Sequence, residues 1–122
     1  MNWIAAGSIG GFLGVALGAF GVHALRPVLS DSARVVYQTA VQYQLVHSIA
    51  LVLAGLLQQV RGPGTALNAA GWAFGIGIIV FSGSLYGLSL SGQRWLGAVT
   101  PFGGLAFLVG WASLATAALP PR

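Results

Sequence analysis

The chain has 122 residues, enough for one domain; 57% are hydrophobic, only 5% are charged, and the formal net charge is +4. A soluble domain carries roughly 25% charged residues, so this composition excludes a water-soluble fold. Its five scattered arginines exclude a nucleic-acid partner, which needs clustered cations, and the absence of cysteine excludes disulfides, thiolate catalysis and Cys-based metal sites.

Cut at its charges, the sequence yields four stretches of about the 20 apolar residues that a spanning helix needs. The expected fold is all-α: a single four-span membrane domain over residues 1–122, with helices at roughly 3–25, 35–60, 66–90 and 96–119. A membrane barrel is excluded, because barrel strands alternate apolar and polar residues over about ten positions and these runs do not.

The first stretch, Trp3 to Leu25, ends at Arg26-Pro27. It opens with MNWIAAGS, which lacks the basic segment of a cleavable signal peptide, so it is read as structure. Each of its glycines would cost a water-exposed helix about 1 kcal/mol against alanine. In lipid, helices associate by close packing instead of hydrophobic exclusion. Gly10, Gly14 and Gly18, four residues apart, then form one packing groove, which Gly7, Gly11 and Gly21 widen.

The second stretch, Val35 to Val60, ends at Arg61 and the turn Gly62-Pro63-Gly64. Ser30 or Asp31 is placed to cap its helix. A helix from about 32 to 60 is roughly 43 Å long and outruns a hydrocarbon core of about 30 Å. The third stretch, Ala66 to Leu90, ends at SGQR and repeats the small-residue face with Gly71, Gly75, Gly83 and Gly87. The fourth, Leu96 to Leu119, carries Gly103, Ala106 and Gly110 and stops at Pro120-Pro121. Thr100-Pro101 has the form of an N-cap followed by proline at the first helical position, which predicts a helix starting at residue 101. Trp3, Tyr37, Trp72 and Trp95 sit near span ends, where aromatic belts form.

Loops one and three share a membrane side, because two spans separate them. His23 lies about one turn inside that side, and helix rise places His47 about 9 Å below it. Gln42, Tyr43 and Gln44 lie one turn nearer the surface. Ser82, Ser84 and Tyr86 of the third span and Thr100 of the fourth approach the same side. These residues support two readings. As interhelical glue, each bond contributes about 0.6 to 2 kcal/mol. As the lining of a small hydrated cavity, the histidines accept protons or hold a small solute.

Familiar chemistry is missing. Asp31, the single acidic residue, lies in a loop, so paired-carboxylate catalysis is excluded. His23 and His47 fall short of the three or four protein ligands that zinc takes. Gly75-Ile76-Gly77 is followed by Val80 where a nucleotide fingerprint needs its third glycine. The expectation is no enzyme, no cofactor and no metal.

The strings GAFGVHAL (18–25), YQTAVQYQLVHSIAL (37–51), FSGSLYGLSLSG (81–92) and LGAVTPFGGLAFLVGW (96–111) resemble the bacterial domain-of-unknown-function family 423, which is similar in turn to the small eukaryotic transmembrane protein 256. The resemblance runs through all four spans and includes His23, Tyr43, His47, Ser82, Ser84 and Tyr86. It implies a small multi-pass protein of a bacterial inner membrane and carries no reaction.

Two functions compete. One is a structural or accessory component whose partners are the bilayer and either a second copy or a larger membrane complex. The other is a minimal transporter or channel for a proton, small ion or small solute, its path lined by the His, Tyr and Ser cluster. Arg26, Arg34 and Arg94 on one side against Arg61 and Arg122 on the other place loops one and three in the cytoplasm and both termini outside. The margin is one arginine, small enough to permit insertion both ways.

Overall fold

The computed structural model describes residues 1–119. The helix stop expected at Pro120-Pro121 and the charge of Arg122 lie outside the described residues. Four continuous helical segments, Trp3–Leu25, Asp31–Arg61, Thr65–Ser91 and Leu96–Ala118, are each long and apolar enough to cross a membrane. No strand occurs among the described residues.

The first segment is helix α1 (Trp3–Phe20), followed by a π-helical turn at Gly21–Leu25. Asn2 caps it, its side-chain oxygen accepting from the Ala5 N–H at 3.0 Å. The second is α2 (Asp31–Arg61). Between the two candidate caps the structure selects Ser30, whose Oγ accepts from the Ala33 N–H at 3.1 Å. Gly62 ends α2 at φ 85°, a backbone state that glycine reaches without the steric cost of a side chain.

The third segment is α3 (Thr65–Gly77), a π turn at Ile78–Ser82, and α4 (Gly83–Ser91). Gly92 closes it in the left-handed region, at φ 74°. The fourth is α5, Leu96–Ala118, which corrects the expected start at Pro101. Pro101 lies inside this helix. Its missing N–H forfeits the backbone bond to the Gly97 carbonyl, and the residue is exposed.

α1 lies along α2 and α5 along α3, with α2 and the third segment at the centre. The core joins Trp3, Ala50, Leu51, Ala70, Phe74 and Phe107. Trp3 and Tyr37, expected in aromatic belts, are instead buried. The Trp3 indole covers Gly71 and meets Trp72 edge-on at 5.4 Å. Tyr37 lies under Gly21, and its hydroxyl donates to the Leu17 carbonyl. Trp72 and Trp95 face outward.

The glycines divide by what faces them. A Cβ at Gly7 would lie 2.6 Å from the Ser48 carbonyl oxygen, and one at Gly103 2.4 Å from the Phe81 backbone nitrogen. Gly10, Gly14 and Gly18 face Ser48, Leu45 and Val41 of α2; Gly71, Gly87 and Gly110 face Trp3, Leu96 and Phe74. Gly11, Gly75 and Gly83 meet nothing within 4 Å and belong to no packing face. Fourth-residue spacing puts glycines near one helix face but does not say which of them a neighbouring helix covers, and these three are left uncovered within the chain.

Candidate functional site

The polar residues of the spans form a ladder between helices. Gln44, buried on α2, donates from Nε2 to the Gly10 carbonyl of α1 at 2.9 Å and accepts at Oε1 from the Tyr86 hydroxyl of α4 at 2.6 Å. Gly10 matters twice here: its missing side chain lets α1 approach, and its carbonyl is the acceptor. Ser82, also buried, donates to the Ala40 carbonyl at 2.8 Å. It stands in the π turn of the third segment, where the widened backbone changes which side chains face α2.

Ser84 and Thr100 link the third and fourth segments, their hydroxyls 2.6 Å apart. Ser84 also reaches the Phe81 carbonyl at 2.9 Å and Thr100 the Leu96 carbonyl at 3.2 Å. Each hydroxyl has one proton, so one of them donates to the other, which keeps its backbone acceptor.

One step deeper is His47, 4% exposed. Its ring stacks on Phe107 at 3.5 Å and 9° and lies 5.9 Å from Tyr43 in near-parallel orientation. Nε2 is 3.1 Å from Trp111 Nε1, an indole N–H that can only donate. Nε2 is therefore the acceptor, and Nδ1 carries the proton and donates to the Tyr43 carbonyl at 2.7 Å. Both nitrogens of the neutral ring are used. A proton added at Nε2 would set two N–H donors against each other.

Not every expected member joins this group. His23 is exposed in the π turn that ends the first segment and makes no hydrogen bond among the described residues. It does not share an interior with His47: the spacing to Arg26 specified its distance from the helix end, and the rotation of the first segment about its axis turns it outward. Gln42 is exposed and lines a groove between α1 and α2. Tyr43 is 40% exposed and packs against Phe81. Trp111, which sequence reasoning missed, completes the His47 site. Its signal was a lone tryptophan well inside the fourth span, where indole N–H requires an acceptor.

Two further contacts close the ends. Arg61 donates to the Ala117 carbonyl, tying the end of α2 to that of α5. On the other side, Arg34 meets Asp31 at 3.3 Å and donates to the Arg26 carbonyl at 3.3 Å. Among the described residues, no three His, Cys, Asp or Glu side chains gather at one point.

These features define a class: a four-span helical membrane protein whose intramembrane polar groups pair across helices. The family model described as protein of unknown function (DUF423) matches residues 17–104, and the chain belongs to that family. It is 42% identical over 118 residues to a UPF0382 membrane protein, YwdK, of Bacillus subtilis, covering 96% of this chain and 95% of the relative. It is 40% identical to a UPF0382 membrane protein of Staphylococcus epidermidis (96% and 94% covered) and 43% identical to one of Haemophilus influenzae (88% and 86% covered). No solved structure matches the chain.

Proposed function

We propose that the protein is a non-enzymatic structural or accessory component of a bacterial inner membrane, acting through its helix faces on a second copy of itself or on a larger membrane complex. The observation that carries this reading is the Gly10–Gln44–Tyr86 chain of hydrogen bonds. Gln44, Ser82, Ser84, Tyr86 and Thr100, which would line a path for a solute, are taken up by one another and by backbone carbonyls. His47 conforms to the same pattern, with Tyr43 and Trp111 on its two nitrogens. The connections at 26–30, 62–64 and 92–95 are too short to form a body outside the bilayer. Interaction therefore falls to the lipid-facing surfaces.

Reconstitution tests this. Liposomes containing the purified protein are expected to pass protons and small ions no faster than empty ones. Cross-linking in native membranes is expected to trap species larger than one chain. Flux that disappears in His47→Leu would overturn the reading in favour of a transporter.

A further inference from the structure

We infer that the groove between α1 and α2 on the loop-one side binds one anionic phospholipid, with its phosphate between Arg26 and Arg34. The groove has a volume of about 560 Å³. Its two ends differ in chemistry. Arg26 and Arg34 stand at the mouth, where the first segment ends and α2 begins, at the depth of lipid headgroups. Below them the walls are largely apolar, with the amides of Gln38 and Gln42 among them. Val41 and Leu45 follow Arg34 by seven and eleven residues, about 10 and 16 Å further into the hydrocarbon at helical rise. Val22 forms the facing wall, beside Gly18 and Gly21, which let Val41 and Tyr37 of α2 pack close against the first segment.

The guanidinium donors at the mouth are only partly spent. Arg34 makes both its contacts through Nη2, at 3.3 Å each, and its Nε has no partner. The Arg26 side chain makes no hydrogen bond among the described residues, though its carbonyl receives Arg34. Asp31 is the one carboxylate nearby, and its side chain is 98% exposed. Two cations against one anion leave the mouth positive. A phosphate monoanion with hydroxyl headgroup completes that charge, whereas a zwitterionic lipid brings an ammonium to the same place. The largely apolar floor distinguishes a lipid from free phosphate, because only a lipid has a chain to fill it.

The test is native mass spectrometry of the detergent-purified protein with an equimolar mixture of phosphatidylglycerol and phosphatidylcholine bearing identical acyl chains. One phosphatidylglycerol is expected to stay bound, preferred over phosphatidylcholine by about fivefold for each arginine, the scale of one basic side chain at an anionic surface. Arg26→Gln and Arg34→Gln should each remove one such step. Arg94→Gln, on the same membrane side but outside this groove, should leave the preference intact. Val22→Trp, which fills the groove from an exposed position, should lose both lipids. Because the Arg26 side chain holds no other part of the described fold, Arg26→Gln keeps the test sound if Arg34→Gln fails to fold. Equal retention of the two lipids, a preference undiminished in Arg26→Gln, or displacement of the lipid by millimolar inorganic phosphate would each overturn the inference.

Discussion

The Tyr86 hydroxyl donates to Gln44 Oε1 at 2.6 Å, and this bond joins the third membrane segment to the second at the same level where Gln44 grips the first. One amide thus bridges three helices. Tyr86→Phe should cost about 0.6 to 2 kcal/mol of stability, measured by unfolding in detergent micelles. Gln44→Leu should cost more, since it also strands the Gly10 carbonyl, and the two losses should not add in the double variant. Strict additivity would mean that the two side chains do not interact.

His47 and Trp111 provide a second pair. The imidazole should be the neutral tautomer with its proton on Nδ1, a state that its nitrogen chemical shifts report directly. A spectrum with the proton on Nε2 would contradict the indole bond. Trp111→Phe leaves Nε2 buried and unpaired, a loss on the order of 1 to 3 kcal/mol, and adding His47→Leu should recover part of it.

The glycines can be ranked by what a methyl group would strike. Gly103→Ala sets a Cβ against the Phe81 backbone, and Gly7→Ala sets one against the Ser48 carbonyl. Each should destabilise by about 1 to 3 kcal/mol, the usual cost of overpacking. Gly75→Ala and Gly83→Ala meet open space and should be neutral or gain up to about 1 kcal/mol from helix propensity. Thermal midpoints of the four variants decide the matter; equal midpoints would refute the division.

Ser48 lies buried beside Gly10 and its Oγ has no hydrogen-bond partner. An orphan hydroxyl is a cost that alanine removes. Ser48→Ala should therefore raise the thermal midpoint, and a clear loss would show that the hydroxyl serves a partner.

Charge placement predicts an orientation that a reporter can check. With Arg26, Arg34 and Arg94 on one side, a reporter fused after residue 122 should be active outside the cytoplasm. Signal from both sides would indicate dual insertion, and signal from the cytoplasm alone would reverse the assignment.

By itself the sequence determined the solvent, the number of spans and nearly all their ends. Charges and turn residues are costly inside a bilayer, so Arg26-Pro27, Arg61-Gly62 and the Ser91-Gly92 turn mark boundaries without any knowledge of packing. It also set how far along its helix each polar residue stands, because helical rise is fixed. Rotation was a different matter. In water the apolar stripe of a helix announces its buried face, but here lipid and core are equally apolar, and Gly75 reads like Gly71 and His23 like His47. Tertiary packing alone decided that His47 turns inward to Trp111 while His23 turns out, that Gly103 touches backbone while Gly83 touches nothing, and that α5 begins five residues before its proline. The physical reason is that these choices rest on shape and hydrogen-bond partners contributed by other helices, and a single helix's sequence carries neither.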